Sequence, residues 1–215
     1  SSFYVANGGT FFGDGTDAFK GIDFAGDKGV AVTNYLVELV KNANFVLDES
    51  GAGLAGLRDG SVAAYFSGTW DASKVKEALG ENWAATVAPT YTLNGEAKQI
   101  VSMHGYKLIG VNAMSKFPNA AQLLADYLAG EACQLERAEK LSWGPSNTAA
   151  AESEIVKNNP AISAILEQSA YSVPQVNIAS TFWDPMGTLG NSLFKEDGKY
   201  DTETLTTLLD NTIAN

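Results

Sequence analysis

The chain has 215 residues, 45% of them hydrophobic and 18% charged, with a formal net charge of -11; this fits one large domain or two small ones built around a real core. The negative balance repels phosphate backbones and anionic headgroups, which argues against nucleic-acid binding and against an electrostatic hold on a membrane. One cysteine and one histidine exclude an internal disulfide and a zinc site of the usual spacing.

Residues 1–29 are rich in glycine, aspartate and aromatics, and "GGTFFGDGTDAFKGIDFAGDKG" predicts one or two short hairpins with Asp-Gly turns. Asp14, Asp17, Asp23 and Asp27 miss the spacing of a calcium-binding loop, so turn chemistry is the simpler reading. The start "SSFYVANGG" has no basic and apolar leader regions, and no apolar run approaches the ~20 residues that span a bilayer. Any export signal or lipid anchor is therefore expected outside this sequence.

Over 29–43, Val32, Tyr35, Leu36, Leu39 and Val40 recur at helical spacing and predict an amphipathic helix. A looser helical stretch covers 54–58, and "SVAAYF", "WAATVAP", "QIVSM" and "YKLIGVN" read as strands. Strands alternating with helices give an α/β class. A helix starts near Pro118 with Leu123, Leu124, Tyr127 and Leu128 on one face and stops at Gly130; another runs over 131–141, burying Cys133 and Leu135 or Ala138. Asn159 and Pro160 form an N-cap and first helical position, with Ile162, Ile165 and Leu166 inward. Asp184-Pro185 repeats that device before Met186, Leu189, Leu193 and Phe194, and a last helix opens at Asp201 and buries Leu205, Leu208, Leu209 and Ile213. There is no internal repeat or low-complexity linker.

Trp70 in "FSGTWDAS" and Trp183 in "STFWDPMG" each follow an extended run and precede a helix start, where loops on a rigid scaffold form ligand clefts. An indole there can stack on the C–H face of a sugar ring; packing is the equal alternative on position alone. Asp71 and Asp184 follow the tryptophans and read either as helix caps or as acceptors for sugar hydroxyls, with capping favoured. As a catalytic pair they would need to stand about 5 to 9 Å apart, as in a glycoside hydrolase. His104 in "SMHGYK" has no nucleophile motif nearby and reads as a hinge or core residue. The glycines form neither a dinucleotide fingerprint nor a P-loop. Trp83 reads as core, and Trp143 in "LSWGPSN" as a loop residue able to line a cleft.

The succession "VELVKNANF", "AGLRDGSVAAYFSGTWDASKVKEALGENWAATVAPTY", "GVNAMSKFPNAAQLLADYLAGEACQ", "NNPAISAILEQS" and "IASTFW" resembles the carboxy-terminal part of maltose/maltodextrin-binding proteins, the extracellular solute receptors of carbohydrate ABC importers. The resemblance implies a two-lobed α/β fold of the type II periplasmic-binding class, with sugar held in an interlobe cleft, no catalysis, no metal and no cofactor. It places 1–104 in the carboxy-terminal lobe, 105–155 in a segment crossing into the amino-terminal lobe and 156–215 in a return segment, with His104 near a hinge. Trp70 and Trp183 match the family's stacking tryptophans, and the candidate ligand-binding set is Trp70, Trp183, Asp71, Asp184 and Tyr106. Thr69 stands where the family often has proline, and Asp184-Pro185 where it often has an aromatic and a basic residue, which leaves the preferred sugar open; another oligosaccharide or solute is the alternative, and a hydrolase using Asp71 and Asp184 a weaker one. The partners implied are an oligosaccharide, the membrane permease, and an amino-terminal part of the same protein or a swapped chain. The implied location is extracellular or periplasmic, with lipid anchoring through a segment not in this sequence.

Overall fold

The computed structural model describes residues 1–11, 22–48, 51–175 and 182–193. The chain divides into two compact units, one made of Ser1–Val46, Ala88–Gly105 and Tyr171–Asn215, the other of Leu47–Val87 and Tyr106–Ala170. One break between these units falls between Gly105 and Tyr106, and the others follow Val46, Val87 and Ala170. Residues 47–87 join 106–170 because helix α4 (Ala72–Leu79) packs on α6 (Glu131–Leu141), and the 3-10 turn Thr69–Asp71 packs on α9 (Pro160–Gln168).

The first unit contains α1 (Ser2–Ala6), β1 (Thr10–Phe11), β2 (Ile22–Asp23), α2 (Gly26–Val40), β3 (Thr90–Leu93), β4 (Glu96–Gln99), β5 (Ser102–His104), β6 (Ser172–Pro174) and α10 (Trp183–Ser192). Its core is aromatic: Tyr4 stacks on Phe24 at 5.0 Å, Phe11 meets Phe24 edge-on at 5.1 Å, and Phe182 meets Phe11 edge-on at 5.3 Å. Such edge and offset contacts add to the apolar area buried. Val32 from α2, Leu93 from β3 and Leu189 from α10 close this core. The hairpin expected in 1–29 has its ends paired, Thr10 with Asp23 and Phe11 with Ile22, in antiparallel register; its Asp-Gly turns lie outside the described residues, as do Phe194 and the helix expected from Asp201. Asp23 holds Lys28 in an ion pair at 2.7 Å.

β3 and β4 form an antiparallel hairpin closed by Asn94-Gly95, whose φ values of 53° and 83° are those of a two-residue I′-type turn. β5 and β6 pair in parallel, Ser102 with Ser172 and His104 with Pro174. Of the expected strand "QIVSM", Gln99 therefore ends one strand and Ser102–Met103 begins another.

The second unit contains α3 (Ala52–Asp59), α4, α5 (Pro118–Ala129), α6, α7 (Thr148–Ala151), α8 (Glu154–Lys157) and α9. Ala138, Val156 and Ile162 are packed together at its centre. Its caps are local. Asn147 accepts from the Ala150 amide, Ser153 from that of Val156, and Asn159 from those of Ala161 and Ile162, each such cap being worth about 1 kcal/mol. The Asn159-Pro160 start and the 131–141 helix stand as expected, with Ala138 fully buried and Cys133 and Leu135 half-buried.

Several expectations are corrected here. "SVAAYF", "WAATVAP" and "YKLIGVN" are not strands: a β-rich composition sets a propensity, but a strand exists only where a neighbour completes its ladder, and these runs have none among the described residues. Trp83 is consequently a half-buried loop residue. The α5 face of Leu123, Leu124 and Tyr127 is exposed, and Ala125 is the residue buried instead. On α9, Ile162 is inward while Ile165 and Leu166 are exposed.

Candidate functional site

Trp70 lies in the 3-10 turn Thr69–Asp71 and is 70% exposed. The turn closes through the Asp71 amide donating to the Gly68 carbonyl at 3.1 Å. The six-membered ring of Trp70 folds back over Gly68, so that a Cβ built on Gly68 would stand 2.6 Å from Cε3 and closer still to Cζ3 and Cη2. Gly68 has ordinary extended dihedrals, φ -128° and ψ 179°. Its requirement here is a bare Cα beneath an indole, not a left-handed backbone.

Asp71 stands at the N-cap of α4, but its side chain makes no cap hydrogen bond. Instead Oδ2 accepts from the Tyr65 hydroxyl and from Ser67 Oγ, both at 2.6 Å, and Oδ1 accepts from Lys74 Nζ at 2.8 Å. These donors, Lys74 first, hold the Asp71 carboxyl down at about 2, so it is ionised throughout the neutral range. A glycosidase general acid needs the opposite displacement. Burial and the neighbouring Asp71 push the Tyr65 hydroxyl upward, which keeps it a donor. The Tyr65 ring in turn covers Gly53 of α3.

Trp183 is the first residue of α10, not a loop residue, and the N-cap is Phe182. It is 42% exposed and rests edge-on against buried Phe182 at 5.0 Å. Asp184 accordingly lies inside the first turn, exposed, and not at the cap. A carboxylate is still favourable there because it faces the positive end of the helix dipole. Tyr106 is exposed and follows Gly105 outside any helix or strand. Next to it, Lys107 Nζ sits 4.7 Å from the centre of the half-buried Trp143 ring, a cation–π contact. His104 is part of the fold: Nδ1 lies 2.7 Å from Ser172 Oγ on the paired strand.

Trp70, Asp71 and Tyr106 thus belong to the second unit and Trp183 and Asp184 to the first. The supporting set Tyr65, Ser67 and Gly68 escaped the sequence reading. Its signal was there: two hydroxyl residues and a glycine spaced around "TWD". Among the described residues no cluster of three or more His, Cys, Asp or Glu could hold a metal ion, and no helix is long and apolar enough to cross a membrane.

Residues 2–164 match the family model described as bacterial extracellular solute-binding protein. A maltooligosaccharide ABC transporter solute-binding lipoprotein of Streptococcus pneumoniae (strain ATCC BAA-255 / R6) is 29% identical over 220 residues, 97% of this chain and 50% of that protein. A galactooligosaccharide-binding protein of Bacillus subtilis (strain 168) is 33% identical over 129 residues, 59% of this chain and 30% of that protein. A solved structure described as being with acarbose superposes with a TM-score of 0.88 at 39% identity, over 99% of this chain and 57% of that one. The chain spans half or less of the length of these curated relatives.

Proposed function

Because the chain belongs to the bacterial extracellular solute-binding proteins, we propose that it forms part of the solute receptor of a carbohydrate ABC importer and takes an oligosaccharide of the maltose/maltodextrin type. Its fold is the type II periplasmic-binding α/β fold. In this reading the sugar occupies the family's interlobe cleft, one ring stacked on Trp70 and another on Trp183, with Asp184 and Tyr106 as polar contacts. The receptor works outside the cell, hands its ligand to the membrane permease, and needs the remainder of the longer family fold, from the same protein or a partner chain, for full affinity. No reacting group takes part.

One observation carries this reading: Trp70 keeps 70% of its surface in water while its turn is braced by three hydrogen bonds to Asp71. A large indole held rigid and wet is costly unless something covers it, and the flat face of an indole fits the C–H face of a sugar ring. The extent of the matches favours the glucose polymer, since the maltooligosaccharide relative aligns along 97% of the chain and the galactooligosaccharide relative along 59%.

Magnitudes set the expected affinity. Two aromatic stacks add about 1 to 3 kcal/mol beyond area burial, whereas micromolar binding takes about 8 kcal/mol and millimolar about 4. The chain by itself is expected to bind in the millimolar range. The test is tryptophan fluorescence during titration with maltotriose and, separately, a galactooligosaccharide, on the chain and its Trp70→Ala and Trp183→Ala variants. A saturable response to maltotriose, weakened in either variant, is expected. A response to the galactosyl sugar alone would reassign the ligand, and equal responses in chain and variants would remove both tryptophans from the site.

A further inference from the structure

Trp70 has four supports within the seven residues 65–71, Tyr65, Ser67, Gly68 and Asp71, and a fifth in Lys74, and none of them is the ligand. Gly68 lies under the six-membered ring, where any Cβ would displace it. Tyr65 and Ser67, on the segment leading into the turn, both donate to Asp71 Oδ2 at 2.6 Å, and Lys74, one helical turn into α4, donates to Oδ1 at 2.8 Å. The Asp71 side chain is only 16% exposed. A carboxylate offers about four acceptor sites, so three of them are already taken inside the chain.

We propose that Gly68 and the Tyr65–Ser67–Asp71 network are the positioning residues of the Trp70 sugar face, with Asp71 serving the site by fixing the indole and not by touching the sugar. The inference rests on the reading of Trp70 as a stacking face. The physical logic is preorganisation. Residues 65–67 lie outside any helix or strand among the described residues, so no backbone ladder fixes the turn that follows. Charge-assisted hydrogen bonds from two hydroxyls to one carboxylate oxygen tie the two ends of that segment together, and Lys74 ties the carboxylate to the helix that follows. The indole then has one place to lie, against the bare Cα of Gly68, with its other face outward. Ordering that side chain in advance removes a cost that binding would otherwise bear. Gly68 also sets the geometry sterically: an alanine there fits the backbone, because the dihedrals are ordinary, but it must push the ring away.

The test uses Gly68→Ala, Asp71→Asn, and the double variant Tyr65→Phe/Ser67→Ala, each checked by far-UV circular dichroism and thermal melting, with Trp70→Phe as reference. The first readout needs no sugar. The near-UV dichroism of Trp70, taken as the difference between each protein and the same protein carrying Trp70→Phe, is expected to be strong in the parent chain and to collapse in the variants while the far-UV spectrum stays unchanged. An undiminished Trp70 signal in folded Gly68→Ala and Asp71→Asn overturns the proposal. The second readout is maltotriose affinity: the variants should lose about the same factor as Trp70→Ala, up to about tenfold. Parental affinity in the variants alongside weakened binding in Trp70→Ala overturns the proposal and leaves the sugar reading intact. Parental affinity in Trp70→Ala itself overturns the sugar reading at this residue, and the dichroism then judges the indole's supports on their own.

Discussion

His104 Nδ1 and Ser172 Oγ lie 2.7 Å apart, joining by side chains two strands that the backbone already joins in parallel. The Gln175 amide adds a bond to the His104 carbonyl at 2.8 Å, one residue past the end of β6. These strands are three residues each, too short to be robust alone. Replacing His104 with alanine is therefore expected to lower stability by about 1 kcal/mol and to speed exchange of the Gln175 amide. Urea denaturation and amide hydrogen exchange measure the two effects; an unchanged exchange rate would show that the backbone ladder suffices.

Tyr4 and Thr33 form the most buried polar pair described, their hydroxyls 2.6 Å apart. Thr33 Oγ1 donates to the Gly29 carbonyl at 3.0 Å, so the Tyr4 hydroxyl is the donor between them. Thr33→Val would strand that donor in the core at a cost of about 1–3 kcal/mol, more than the ~1 kcal/mol expected for Tyr4→Phe. Burial pushes the Tyr4 hydroxyl from 10.0 up to about 12. The unfolded chain then ionises first, so the Tyr4 contribution is complete below pH 10 and declines as the pH rises toward 12. Urea midpoints of the parent should fall over that interval more steeply than those of Tyr4→Phe.

The β3–β4 hairpin turns on two residues with positive φ, Asn94 at 53° and Gly95 at 83°. A Cβ at Gly95 meets no neighbour within 4 Å, so Gly95→Ala isolates the cost of a left-handed backbone without a steric clash. That cost is about 1–2 kcal/mol. Asn94→Gly relieves the same strain at its neighbour and should change stability by only a few tenths of a kcal/mol. Thermal melting of the two variants compares them directly, and equal destabilisation would contradict the turn geometry.

What could be read beforehand follows from how local each feature is. Asn159-Pro160 announced its helix because a cap and a fixed φ act within four residues, and "NG" at 94–95, which falls between the expected strands "WAATVAP" and "QIVSM", is an equally local hairpin signal. The periodicity of Leu123, Leu124 and Tyr127 revealed the helix α5 but not what covers it, since coverage belongs to other segments. "SVAAYF" and "YKLIGVN" carry strand composition, yet pairing is a relation with a distant neighbour, and composition holds no trace of it. At the candidate site, "GTWD" placed the indole on a turn; that Asp71 faces Tyr65 and Ser67 and not the α4 amides depends on how 65–71 bends back on itself, which no pairwise spacing specifies.

Asp71 also makes the turn acid-sensitive in a defined window. Its carboxyl is lowered from 3.8 to about 2, chiefly by Lys74 and then by the hydroxyls of Ser67 and Tyr65. A depressed acid stabilises the fold fully above its unfolded value and loses that contribution as the pH falls toward its folded one. The support of Trp70 should therefore be intact at neutral pH and still largely present near 3.8, and it should be lost as the pH approaches 2. Protonation takes away the charge that Lys74 pairs with and weakens both hydroxyl bonds, so the indole loses its anchor although no residue has been changed. Near-UV dichroism of Trp70 recorded across that interval should fade in the parent chain, whereas Asp71→Asn, which carries no titrating group there, should show a weak signal that does not change with pH. A parental signal that persists through this interval would show that the charge on Asp71 does not hold the indole, and one that fades equally in the Asp71→Asn variant would place the acid sensitivity at another group.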